Sequence, residues 1–452
     1  MDNLKTRYSR LVPALITGTV LMMSVAGIHP VSAAPAQQAG AQTFTAMMGN
    51  EIFTEQGKKS SWQADRFYAE NITVNVGDTV KWKHNAGLEP HTVTFLGAAN
   101  KFPDFALPEC NGAPCPPPPP GAQPGGPPPP GVTIKLQLNP QVALKQGGAT
   151  YDGTAYTNSG VMSSDNPGPK EYSLSFTKPG TYTYVCAVHA GQLPDGTIVG
   201  MQGKITVQAE GSAYPKTAAQ SEAEGKDMMA ADEKLARDAE PKAKSEMITT
   251  KPGPNGTLVH HVNVSYSLSF PTYALDYMRF APDDIVINEG DTVEWSSPTP
   301  HTFHNVLLGE EPEAIQVEPQ QAGPPKFYAN SDVFMPVGPN PSTYSGSGLH
   351  SSGIIVGPED GPGLGVPSYS LSFTQPGRYE YICGLHYHNG MDAHVTVQAR
   401  TGGGQPAGGG QPVGMPSTGG NFAWTLWSLL ASSLFLALSG LALRFRKAHN
   451  AK

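Results

Sequence analysis

Alternation of apolar and polar positions dominates the middle of the chain. Residues 71–82 and 284–295 alternate around a Gly-Asp turn, the pattern of a β-hairpin. Residues 172–176 alternate before Pro179-Gly180, and residues 181–185 alternate after it, with Tyr182 and Tyr184 on one face. Neither half sustains a 3.6-residue apolar period. The predicted elements are therefore short strands separated by Gly/Pro turns, which suit a sandwich or small barrel.

The two ends carry continuous apolar runs instead. Lys5, Arg7 and Arg10 precede an apolar stretch that ends in Val31-Ser32-Ala33-Ala34, which reads as a secretory signal peptide over 1–33. Within 421–444, residues 422–443 form an apolar run followed by Arg444, Arg446 and Lys447. About 20 such residues cross a bilayer, so this run is expected to be a transmembrane anchor with a basic cytoplasmic tail over 445–452. Met415-Pro416-Ser417-Thr418-Gly419 resembles a sortase sorting signal with Met for the usual Leu, so cell-wall attachment is the alternative to a plain anchor. Either way the expected address is the cell membrane, single-pass, with the globular part on the extracytoplasmic side.

A duplication lies between these ends. Val76-Gly77-Asp78-Thr79-Val80-Lys81-Trp82 recurs as Glu289-Gly290-Asp291-Thr292-Val293-Glu294-Trp295, and Pro90-His91-Thr92 recurs as Pro300-His301-Thr302. The segment from Tyr172 to Pro179-Gly180 recurs from Tyr369 to Pro376-Gly377. The expected organisation is one module at 40–208, with a proline-rich insertion at 110–131, and a second at 248–398. A charged linker, partly helical, joins them over 209–247, and a Gly/Pro stalk follows over 399–420.

Composition narrows the function. The chain has 452 residues, 51 Gly and 44 Pro, too many for a helical bundle. A net charge of −8 without an internal basic block argues against nucleic acid as a partner. Four cysteines are too few for a disulfide-stapled miniprotein. Cys110 and Cys115 stand in the proline-rich insertion with no histidine nearby, and an oxidising compartment would favour a local disulfide between them.

The other two cysteines carry the chemistry. Cys383-Gly384-Leu385-His386-Tyr387-His388-Asn389-Gly390-Met391 follows a predicted strand, with His301 and His304 upstream. Two imidazoles, a thiolate and a weakly bound thioether form the donor set of a blue-copper electron-transfer site. The first half repeats the order with His91, Cys186, His189 and, after a longer gap, Met201; Gln192 is the alternative axial donor. In the second half the duplication favours His386 over His388, because the first loop has its histidine three residues after the cysteine. The repeated Pro-His-Thr favours His301 over His304.

In these residues the chain resembles the cupredoxin family, especially plastocyanin and its bacterial and archaeal relatives. The resemblance implies an all-β fold of two tandem Greek-key β-sandwich domains, here with the C-terminal transmembrane helix appended. It implies one type 1 copper per domain, two per chain, held by His91, Cys186, His189 and Met201, and by His301, Cys383, His386 and Met391. It also implies an electron-transfer protein rather than an enzyme, with His189 and His386 as exposed electron ports. Its partners would be basic redox proteins, cytochrome- or oxidase-like, docking near Leu193 and Ile198. Two rivals stand beside this expectation. One is a two-domain copper oxidase or nitrite-reductase-like enzyme with an additional type 2 site, drawing on His260, His261, His350 or His394. The other is a copper buffering or delivery protein.

Overall fold

Each strand of the duplicated segment buries every second side chain. In Glu171–Phe176 the buried residues are Tyr172, Leu174 and Phe176; in Ser368–Phe373 they are Tyr369, Leu371 and Phe373. The computed structural model describes residues 40–54, 61–116, 131–164, 169–193, 195–245, 249–297, 303–355 and 366–400, all within one compact unit.

The first half is a two-sheet β structure. One sheet orders Trp62–Tyr68, Thr43–Ile52, Thr79–His84, Glu171–Phe176 and Thr150–Tyr151; the other orders Thr157–Asn158, Thr94–Phe95, Gly180–Gln192, Ile198–Gln208 and Asn71–Asn75. The second half repeats this plan. Leu258–Val264 runs parallel to Thr292–Ser296 as Thr43–Ile52 does to Thr79–His84, which sets Trp295 beside Val262 and Trp82 beside Ala46. Both tryptophans are fully buried, with ring centroids 5.4 Å from Tyr184 and 5.3 Å from Tyr381. Equivalent aromatic contacts in the two cores are the packing counterpart of the sequence repeat.

The halves share two sheets. The hairpin Ser267–Phe270 and Tyr273–Tyr277, from the second half, pairs onto Trp62–Tyr68 with Asp276 opposite Gln63. The two insertions also pair: Tyr328 of Lys326–Ala329 lies opposite Gln137 of Ile134–Leu138. There the Glu109 carboxylate accepts from Tyr328 Oη at 2.7 Å and from Lys326 Nζ at 2.6 Å. Cys110 and Cys115 form a disulfide in the first insertion. The proline tract at 117–130 lies outside the described residues.

The expected linker contains the long helix Ala218–Ser245, packed on Thr43–Ile52, Trp62–Tyr68 and Tyr273–Tyr277. Its buried face consists of Ser221, Gly225, Asp232, Ala236, Glu240 and Ala243. Small residues and two acids at helical spacing give little hydrophobic contrast, which is why the pattern reads as linker in sequence.

The described structure does not bear out the expected membrane anchor. No helix among the described residues is long and apolar enough to cross a membrane, and the run 421–444 lies outside them, as do the signal-peptide segment 1–33 and most of the stalk. The single-pass, extracytoplasmic placement and the membrane as partner are likewise not borne out by the described residues. The described chain is mostly β-sheet, consistent with cupredoxin-like sandwiches.

Candidate metal centre

Strand Gly180–Gln192 pairs antiparallel with Ile198–Gln208, but the register breaks between Val185 and Ala190. Val185 faces Gln202 and Ala190 faces Gly200, so the span carrying Cys186 and His189 bulges opposite Met201 alone. Gly200 makes this possible, with φ +86° and the His189 carbonyl oxygen pressed against the place a Cβ would occupy. In the second half the equivalent loop is closed by backbone bonds: Cys383 N donates to Met391 O at 3.0 Å, and Met391 N to His386 O at 3.1 Å. Met201 and Met391 are both fully buried.

Two matching donor clusters result. In the first, Cys186 Sγ lies 3.7 Å from His91 Nδ1 and 3.5 Å from His189 Nδ1, with the two nitrogens 3.1 Å apart. In the second, Cys383 Sγ lies 3.7 Å from His304 Nδ1 and 3.4 Å from His386 Nδ1, with the nitrogens 3.0 Å apart. Each cysteine sulfur also faces a backbone N–H, that of Thr92 at 3.3 Å or Asn305 at 3.5 Å. The Thr92 hydroxyl accepts from Ala187 N and the Asn305 side chain from Gly384 N, which tie the upstream loop to the cysteine loop in the same way in both halves.

The upstream donor of the second cluster is thus His304. His301 lies outside the described residues, and His304 takes the place expected of it. Of the two downstream candidates, His386 stands in the cluster, whereas His388 is exposed with its Nε2 3.7 Å from Glu311. Gln192 is committed elsewhere, accepting from Phe102 N and donating to Asn100 O. His260, His261 and His394 pair with Asp291, Ser296 and Asp284, and among the described residues no third group of His, Cys, Asp or Glu is arranged to hold a metal.

The donor set fits a soft transition metal. Bonds of about 2 Å to nitrogen and about 2.3 Å to sulfur account for donors this close together. Copper suits a thiolate with two imidazoles and a nearby thioether. Three of the four histidines, all but His189, favour this role because burial keeps their rings neutral. It pushes His304 down to about 3 and holds His91 and His386 well below the usual imidazole range.

Sequence reasoning missed the acids behind the imidazoles. Glu89, 1% exposed, places Oε1 3.1 Å from His189 Nε2 and Oε2 3.6 Å from His386 Nε2. Asp65 Oδ1 lies 3.8 Å from His189 Nε2 and 4.0 Å from His91 Nε2. Burial, with Asp276 and Glu89 adding to it, holds the Asp65 carboxyl well above the usual range, and burial raises Glu89 as well. Asp65 gave little signal, since it stands with Gln63 and Arg66 among Trp62, Ala64, Phe67 and Tyr68.

These acids make the two sites unequal. Burial pushes both cysteine thiols up. At Cys186 the neighbouring His189, together with the Thr92 and Val188 N–H groups, outweighs burial and leaves the thiol below its ordinary value, whereas Cys383 is pushed up to about 11. His189 is itself held above the imidazole range, because Asp65, Cys186 and Glu89 outweigh its burial. The expected exposed ports are corrected: the His189 and His386 side chains are 4% and 0% exposed and face inward to Glu89. Leu193 is exposed and Ile198 half-buried, on either side of the hairpin tip.

No family model matches the chain, and no curated protein does. Among solved structures it is similar to oxidised plastocyanin from Dryopteris crassirhizoma, at 20% identity over 30% of this chain and 99% of that one, with a TM-score of 0.17. Amicyanin from Paracoccus versutus overlaps at 15% identity, covering 33% and 92%, also at 0.17. The Cu(I) form of an amicyanin mutant overlaps at 17% identity, covering 31% and 82%, again at 0.17. Matches so distant and partial carry no argument of their own. The likeness is to a general cupredoxin-like fold and goes no further.

Proposed function

We propose that the chain binds one copper ion at each Cys/His cluster and works as a two-site copper oxidoreductase. The ligands are His91, Cys186, His189 and Met201 at one site, and His304, Cys383, His386 and Met391 at the other. Bound copper would supply a one-electron change between Cu(I) and Cu(II). The observation that carries this reading is the burial of both downstream imidazoles against one carboxylate, Glu89. A shuttle that docks through an exposed imidazole edge needs that edge at the surface. Here the two sites face each other, which suits electrons shared within one molecule.

A second reading, copper holding, is favoured by one observation: among the described residues there is no third metal-ligand cluster where a substrate could meet a metal. Loading the full chain with copper separates the two. Two coppers per chain, intense thiolate absorption and oxidation of a small reductant that depends on dioxygen or nitrite support the oxidoreductase. Two coppers with no such turnover, and release to a chelator, support holding. A chain that binds no copper overturns both.

A further inference from the structure

Resting on the copper reading above, we infer that Glu89 couples the two sites by acting as the shared outer partner of His189 and His386. A metal-ligating imidazole normally donates its second ring N–H to a carboxylate or carbonyl, which fixes the tautomer and strengthens the ligand. In both clusters Nδ1 faces the cysteine, so Nε2 is the atom left to donate. Both Nε2 atoms face the same side chain, one at each carboxylate oxygen. His386 Nε2 has no hydrogen-bond partner within ordinary distance, and the Glu89 carboxylate at 3.6 Å is the acceptor it faces.

Glu89 is held firmly enough to report on both sites. Its N–H donates to Ala86 O at 3.0 Å, and its carbonyl oxygen lies 2.7 Å from His84 Nε2. At 1% exposure, water screens the carboxylate little, so a charge change at one imidazole is felt at the other. The arrangement is unequal. The contact to His189 is a hydrogen bond, whereas that to His386 is electrostatic. The two coppers are therefore linked, and by reciprocity each changes the other's affinity by the same factor.

The test uses the full chain in two single-site backgrounds. Cys186→Ser leaves only the His386 site, and Cys383→Ser leaves only the His189 site. Glu89→Gln is added to each, and copper affinity is read by chelator competition alongside the EPR spectrum. The expected result is a loss of about tenfold at the His189 site, a smaller loss at the His386 site, and a changed EPR spectrum at both. In the chain with both cysteines, the His386 site is expected to bind copper with a different constant once the His189 site is filled. That measurement leaves Glu89 untouched and stands if Glu89→Gln does not fold. An effect confined to the His189 site, or two independent constants, overturns the coupling while leaving the copper reading intact. Absence of copper from the unaltered chain overturns that reading and the coupling with it.

Discussion

Gly49 leaves no room for a side chain beside His91. A Cβ on Gly49 would collide with His91 Nε2 and with Ala86 Cβ, and the residue has φ +67°. Gly49→Ala therefore has to strain the backbone and push the His91 ring at once. The expected cost is about 1–3 kcal/mol of stability. Copper binding should be lost or weakened at the His91 site and unchanged at the His304 site. Denaturant unfolding and copper content in the Cys383→Ser and Cys186→Ser backgrounds check this, and an equal effect at both sites would refute it.

The upstream ligand of the second site gives a direct contrast. His304→Ala should abolish copper binding at the Cys383 site, because it removes the nitrogen 3.0 Å from His386 Nδ1. His301→Ala should leave that site loaded. Copper content and the visible spectrum in the Cys186→Ser background decide between the two histidines.

That contrast also shows where the sequence was legible and where it misled. The alternating strands, the duplication and the Cys/His spacing are all readable, because strand burial has period 2 and both halves repeat Trp82 and Trp295 in the same register. The repeated Pro-His-Thr pointed to His301, which lies outside the described residues, whereas His304 stands in the cluster. Asp78 and Asp291, Trp82 and Trp295, and His91 and His304 are each 213 residues apart, so following the strand register without a gap would have selected His304. Glu89 and Asp65 could not be assigned from sequence. Their importance comes from the second half packing against the first through Gln63 and Asp276, a relationship with no local pattern. The burial of the linker helix escaped because its inward face is small and acidic rather than apolar.

The unequal thiols predict two titration steps in the metal-free chain. A lowered pKa means the thiolate forms at lower pH, so Cys186 should ionise first and Cys383 only near 11. Ultraviolet thiolate absorbance followed against pH should show both steps, and Cys383→Ser should remove the upper one. Asp65→Asn takes away the charge that does most to hold His189 protonated, so the Cys186 step should move upward toward that of Cys383. Coincident steps in the unaltered chain would contradict the asymmetry.

The helix Ala218–Ser245 is held to the sheet by polar contacts as much as by packing. Asp232, fully buried, accepts from Arg66 Nη1 at 2.8 Å and from Tyr68 Oη at 2.8 Å. Arg66 also lies 3.8 Å from the centre of the Tyr273 ring, which belongs to the hairpin donated by the second half. Asp232→Ala takes the acceptor from the Tyr68 hydroxyl and leaves Arg66 with Glu70 at 3.5 Å as its remaining carboxylate, a loss of about 1–3 kcal/mol. Asp232→Asn keeps one acceptor oxygen and should cost less. Because the Arg66 side chain touches both helix and hairpin, the loss should appear as faster amide exchange in Trp62–Tyr68 and Tyr273–Tyr277 as well as in the helix. The metal sites should still bind copper, since neither Asp232 nor Arg66 lies in either cluster. Exchange that quickens in the helix alone would mean the helix is an addition to the sheet rather than part of what joins the halves.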